Sequence, residues 1–204
     1  MKATKPDRRT ERTRRALISA FIGIVLNEGY ESVTVERIAE RANVGRSTFY
    51  MHFKSKEDIL RNSMANPSSS LAKIVGGDLN ADMVAPLLEH FKEQRKRNRK
   101  FFASPIRPIW VSRLAELIEP RLETLSHAFG GRPLLPLPLI AVQIAECQIG
   151  LIAKWLSSAQ PFRSDLVAES LIATTRAIVS ASLRTRASAA AFIPGEKLAL
   201  RQNG

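Results

Sequence analysis

Residues 34–56, TVERIAERANVGRSTFYMHFKSK, hold the groups best suited to a defined chemistry, the recognition of a nucleic acid. Arg46, Ser47, Thr48, Tyr50 and Met51 follow a break at Asn43-Val44-Gly45, and only Phe49 among residues 46–51 has the size and apolarity to face inward. A short helix with Arg, Ser, Thr and Tyr on its outer side suits a DNA major groove. There a guanidinium bonds guanine O6 and N7 together, and hydroxyls reach base edges and phosphates. Lys54 and Lys56 come next, with Lys56 at the start of a further helix whose N-terminal dipole also favours phosphate.

Three elements must position those groups. A first helix is expected over Thr10–Asn27, with Leu17, Phe21, Ile24 and Val25 at helical spacing and Gly29 as its C-terminal cap. Ile38, Ala39 and Ala42 give the second helix an apolar face, and Thr34 is its N-cap. Asn43 falls where a left-handed residue is needed, a conformation Asn tolerates better than most. Gly45 caps the reading helix. Ser55 opens a fourth helix, expected to reach Met64, with Asp58 as a short capping box.

Composition is permissive. The chain has 204 residues, 45% hydrophobic, enough for a compact core. The 31 Lys+Arg against 19 Asp+Glu give +12, which favours an anionic partner, nucleic acid before membrane surface. The excess is +5 over residues 1–61 and +7 beyond them, so charge alone does not locate a site. One cysteine, Cys147, excludes an intrachain disulfide, fits a reducing cytoplasm, and lies on an apolar stripe where a buried, inert thiol is expected. The basic run ending Arg14-Arg15 before apolar Ala16–Leu26 imitates a secretory signal, but no small-x-small cleavage site follows. No other apolar run is expected to span a bilayer. Three scattered histidines and no hydrolase, metalloprotease or P-loop motif argue against an enzyme, a metal site or a cofactor.

The segment Phe49-Tyr50-Met51-His52-Phe53-Lys54-Ser55-Lys56-Glu57 resembles the L/F-Y-x-H-F-x-S/N-K-E stretch of the TetR family of one-component transcriptional regulators. Gly29-Tyr30, Thr34-Val35 and Ile38-Ala39 fall where that family ends its first helix, caps its second and packs its second. The resemblance covers about the first third of the chain. It implies an all-α protein: an N-terminal three-helix helix-turn-helix domain over 1–64, then a larger helical effector-binding and dimerisation domain over 65–186. Carried over position by position, it makes Arg46, Ser47, Thr48 and Met51 base readers. Thr34, Tyr50, His52, Lys54 and Lys56 become phosphate contacts.

Met1–Arg9 are expected to form a disordered arm and 187–204 a loose tail, with the domain boundary in the loop-like Asn66-Pro67-Ser68-Ser69-Ser70. The second half reads as helices throughout. One face is Met83, Val84, Leu87, Leu88 and Phe91; another is Ile109, Trp110, Leu114, Leu117, Ile118 and Leu122. The basic run Lys92–Lys100 is expected to be a solvated helix junction. A Pro133–Pro138 bend leads to long helices over Leu139–Ser157 and Ser164–Ser182. The first is apolar on two sides and so needs burial on both. Periodicity and the family's four-helix dimer bundle together point to a homodimer seam at Leu151, Trp155, Val167, Leu171, Thr174 and Ile178. The resemblance also implies an effector cavity, for which His90, Phe91, Phe101, Phe102, Trp110, Gln143 and Glu146 are candidates. The expected protein is thus a cytoplasmic, homodimeric repressor that leaves a palindromic double-stranded DNA operator when a small molecule binds. Two alternatives stand beside it: the same fold governed by a protein partner without small-molecule sensing, and a basic membrane-surface protein.

Overall fold

The computed structural model describes residues 8–77, 79–129, 133–160 and 162–183. The expected tail and all but the last two residues of the expected arm lie outside them. Among the described residues there are ten α-helices and no strand: α1 (Arg8–Glu28), α2 (Val35–Arg41), α3 (Arg46–His52), α4 (Lys56–Ser63), α5 (Ala65–Lys73), α6 (Ala81–Glu93), α7 (Arg95–Phe102), α8 (Arg107–Phe129), α9 (Leu137–Ser157) and α10 (Ser164–Ser182). Arg8 and Arg9, expected in the arm, are the first turn of α1.

The caps read from sequence are in place. Gly29 ends α1 with φ 90°, a value open to glycine at no steric cost, and its N–H donates to Val25 O at 3.0 Å. Thr34 Oγ1 accepts from Arg37 N at 3.3 Å, and Asn43 has φ 55°. Ser55 Oγ accepts from Glu57 N and Asp58 N. The return bond differs from a standard capping box: Asp58 Oδ2 accepts from Lys54 N at 2.9 Å, one residue further upstream.

Asn66–Ser70, expected as a loop, are helical. Pro67 is the third residue of α5, within the first turn, where a missing N–H costs nothing because that position has no intrahelical acceptor. Ser68 N already donates to Met64 O at 3.0 Å. The chain passes from α4 to α5 through Met64 alone, a buried residue that caps both helices. The basic run is likewise more than a helix end. Gln94 breaks the chain, and residues 95–102 form α7. Arg95 Nε donates to Leu156 O at 2.8 Å and its Nη2 donates to Ser158 O, so this cation covers carbonyls at the end of α9.

The buried apolar side chains form one cluster from Leu17 to Leu183 that includes Phe49, Phe53, Ile59 and Leu60 as well as the inner faces of α5–α10. α8 packs on α9 and α5, and α10 on α6 and α9. Two polar links cross this core. Trp110 Nε1 donates to buried Ser68 Oγ at 2.8 Å, and buried Gln148 Nε2 donates to Thr175 Oγ1 at 3.0 Å and Leu71 O at 3.4 Å. α9 is long and apolar enough to cross a membrane, contrary to the run-length expectation. It serves as a core helix, with Ile140, Ile144, Ile149, Ile152 and Leu156 fully buried. Cys147 is half-buried, not sealed in the core.

The dimer seam expected from periodicity needs correction. Trp155, Val167 and Leu171 are already buried within this single chain, at 3%, 6% and 1% exposure, so they have no surface left for a second copy. Leu151 and Ile178 are half-buried and Thr174 is exposed. The large apolar side chains that α9 and α10 leave to solvent are Leu139, Val142 and Leu166. Leu171→Glu should therefore destabilise the protomer itself, by at least about 3 kcal/mol, because it buries an unpaired charge. Urea titration followed by circular dichroism checks this. A folded, monomeric variant of normal stability would return Leu171 to an inter-subunit seam.

Candidate nucleic-acid interface

α3 has seven residues, too few for independent stability, so its neighbours must hold it. Phe49 (0% exposed) and Phe53 (1%), with ring centroids 5.8 Å apart, sink into the common core. Arg14 of α1 lies over the Phe53 ring at 5.5 Å and also bonds Asn62 Oδ1 of α4, so one guanidinium ties both flanking helices to the end of the reader. With Phe49 turned inward, Met51 is 82% and Tyr50 51% exposed, and Arg46 and Ser47 are exposed as well. Thr48 is half-buried and sits nearer the helix flank.

Arg46 is not idle in the free protein. Its Nη1 pairs with Glu36 Oε1 of α2 at 2.9 Å, with both side chains more than half exposed. The Tyr50 hydroxyl first, then Glu36, raise the guanidinium's pKa. The Glu36 carboxyl is held below its usual range by its own N–H at the start of α2, and Arg46 adds to this.

The groups expected to clamp phosphate frame α3 on both sides. Thr34 stands exposed at the N-terminus of α2 with its hydroxyl engaged as a cap; Lys54 is exposed in the turn before α4. Lys56 is steered: its Nζ lies 4.7 Å over the Tyr30 ring, a cation–π contact at the N-terminus of α4. Tyr30 in turn donates to Glu57 Oε1 at 3.3 Å. Burial first, then the Glu57 carboxylate, push the Tyr30 hydroxyl up to about 12, so it remains a donor at neutral pH. The Ser55 hydroxyl above all lowers the Glu57 pKa. His52 is half-buried beside Phe53, and its position alone assigns it no partner. The sequence reading missed Tyr30, Arg14 and Glu36. The signal for Glu36 was its place in the first turn of α2, ten residues before Arg46.

A second feature adjoins this domain. A cavity of about 380 Å³ opens between α1, the α4–α5 junction, α6, α7 and α8. Of the seven expected lining residues, His90, Phe91, Phe101 and Trp110 line it. Phe102 does not. It stacks on Trp110 at 4.7 Å and is itself buried. Gln143 is exposed on α9, and Glu146 pairs with Arg107 of α8, so neither faces the cavity. The reading missed Ile22 and Leu26 of α1 and Asn66 and Ser70 of α5, because no periodicity reveals which helices from distant parts of the chain enclose a space.

The profile of the bacterial regulatory proteins of the tetR family matches residues 25–62, the segment from the end of α1 to the last turn of α4. Residues 25–62 are thus a helix-turn-helix of the TetR type. Over 52 residues it is 46% identical to the HTH-type transcriptional regulator TcmR of Streptomyces glaucescens, covering 26% of this chain and 23% of that protein. Over 56 residues it is 39% identical to the uncharacterized HTH-type transcriptional regulator YxbF of Bacillus subtilis, covering 27% of this chain and 15% of that protein. The matched stretch is thus a small part of each curated relative. The crystal structure of a TetR transcriptional regulator from Streptococcus agalactiae superposes with TM-score 0.52 at 24% identity, over 83% of this chain and 96% of the other. That likeness extends the TetR fold beyond the helix-turn-helix to the helical body.

The Glu36–Arg46 pair gives the TetR-type reader a measurable signature. Glu36→Gln removes a carboxylate from the reading face and frees Arg46, so affinity for DNA of any sequence should rise about two- to fivefold. Fluorescence anisotropy on a random duplex at two salt concentrations checks it; unchanged affinity at low salt would mean that the pair does not restrain Arg46.

Proposed function

We propose that this chain is a homodimeric, cytoplasmic transcriptional repressor that binds a palindromic operator through α3 and is released by a small molecule in the cavity beside α1. One observation carries the DNA-binding half. Phe49 and Phe53 anchor a seven-residue helix whose outer side offers Arg46, Ser47, Tyr50 and Met51, with Lys54 and Lys56 beside it. The relatives matched by that segment carry names of transcriptional regulators, which supports the same reading.

Arg46, Ser47, Thr48 and Met51 read bases in this proposal, and Thr34, Tyr50, His52, Lys54 and Lys56 clamp phosphates. Residues 1–64 form the DNA-binding unit and 65–186 the sensing and dimerisation unit. Two α3 helices meet successive major grooves only at about 34–36 Å separation, which requires a dimer. Its contact falls to the surface of α9 and α10 left uncovered in the protomer, where Leu139, Val142 and Leu166 are exposed beside Leu151, Thr174 and Ile178.

Binding profiles on a randomised operator library separate readers from clamps. Arg46→Ala should lower affinity about tenfold and relax preference at one base pair per half-site. Lys56→Ala should weaken all sequences alike and flatten the salt dependence by about one charge. Loss of affinity in both variants with no change of preference would refute the division. Release by a ligand carries its own requirement: operator DNA must weaken ligand binding by the factor by which ligand weakens DNA binding, typically about 5- to 150-fold. Calorimetric titration of ligand with and without operator measures it, and equal affinities would favour control by a protein partner instead.

A further inference from the structure

We infer that the cavity beside α1 takes an uncharged, planar, hydroxylated aromatic molecule of about two fused rings, an inference that rests on the reading of this cavity as the effector site. Three observations carry it. The first is charge. The chain has 50 Asp, Glu, Lys and Arg residues, yet none lines the cavity. Lys92 and Arg95, on either side of the lining residue Gln94, are engaged elsewhere, Lys92 with Glu89 and Arg95 with the carbonyls of Leu156 and Ser158. An ionised ligand would be desolvated there without a counter-charge, which is costly.

The second observation is shape. Phe91, Phe101 and Trp110 wall one side in edge-to-face array, Phe101 to Trp110 at 5.5 Å and 73°, Phe91 to Trp110 at 6.1 Å and 86°. The Trp110 ring is fixed from behind by its bond to Ser68 and by Phe102 stacked on it. Rigid ring faces and edges complement another ring better than a coiling alkyl chain, since both partners lose few rotamers. At roughly 30 Å³ per water, 380 Å³ holds about a dozen water-sized groups, which suits two fused rings.

The third is polarity. The side chains of Asn66, Ser70, His90 and Gln94 line the cavity and make no hydrogen bond to another described residue. Asn98 uses its Nδ2 on Phe91 O at 2.8 Å, which leaves its Oδ1 as an acceptor. Donors and acceptors thus ring an apolar floor of Ile22, Leu26 and Leu87, the pattern that orients a hydroxyl or carbonyl at the edge of a ring.

The test is calorimetric titration of the full chain at neutral pH with three probes: 2-naphthol, its anionic counterpart 2-naphthoate, and 1-decanol, which matches 2-naphthol in heavy atoms but is neither planar nor aromatic. One 2-naphthol should bind per protomer, at least tenfold tighter than either other probe. Ser70→Phe, which projects a ring into the cavity, should abolish binding while an unchanged melting temperature shows that the fold is kept; Leu87→Trp serves if it does not. Binding of 2-naphthoate or 1-decanol as tight as 2-naphthol, and lost in the filled variant, would overturn the ligand class and leave the cavity as a site. No binding by any probe would overturn it too. Binding of 2-naphthol in the cavity with no effect on operator affinity would uphold the ligand class and refute the effector reading alone.

Discussion

The whole outer face of α3 depends on the burial of Phe49. A seven-residue helix closes too few hydrogen bonds to offset its nucleation cost. α3 therefore exists only because Phe49 and Phe53 leave water together, each worth about 1.5–3 kcal/mol of transfer free energy. Removing that anchor would take away the platform as well as stability, since Arg46 and Tyr50 have defined directions only while the opposite face is pinned. The capping groups serve the same end. Asn43 supplies the one turn of backbone that a branched side chain would resist, and Thr34 and Ser55 fix where α2 and α4 begin, which sets where Lys56 stands.

The anchor is also continuous with the rest of the molecule. The cluster holding Phe49 runs without a gap into α5–α10, and α4 meets α5 across the single buried residue Met64. Interiors are packed like organic crystals and pass displacements on rather than absorb them. A domain joined by a long polar linker could be reoriented freely. Here the reader and the helical body share side chains, and a change in one must shift helices in the other.

Local chemistry made the first third of the chain legible. Cap residues act within four positions of themselves, and Phe49 stood out as the one large apolar group among polar neighbours. Asn43, Thr34 and Gly29 followed from such short-range rules. The failures were of two kinds. Pro67 and the serines after it read as a loop because the same residues that break a helix interior are at home in its first turn, and only the position of Met64 tells the two apart. On α9 and α10, periodicity at 100° per residue showed that two sides were apolar but could not say which faced its own protomer. Leu171 and Val167 sit in the strongest stripe for the reason that misled the reading: the strongest stripe goes to the protomer's own core first. The cavity was half legible. Aromatic residues announce themselves, but Ile22 and Leu26 join them only through a contact between α1 and α7 some seventy residues apart in the chain.

That contact gives α1 two duties at different points along its length. Leu17 and Phe21 lie fully buried in the core that holds α3, while Ile22 and Leu26 face the cavity. The two sets follow one another within about two and a half turns of one helix, some 14 Å of axis at 1.5 Å per residue. A helix is stiff over that distance, so a group pressing on Ile22 or Leu26 cannot be absorbed by bending before it reaches Leu17. It must either be matched to the empty space or move α1 as a body, and with it the floor beneath Phe49. The same geometry works in reverse. In the proposed dimer, DNA holding two α3 helices at groove spacing would also hold α1, and so set the size of the cavity.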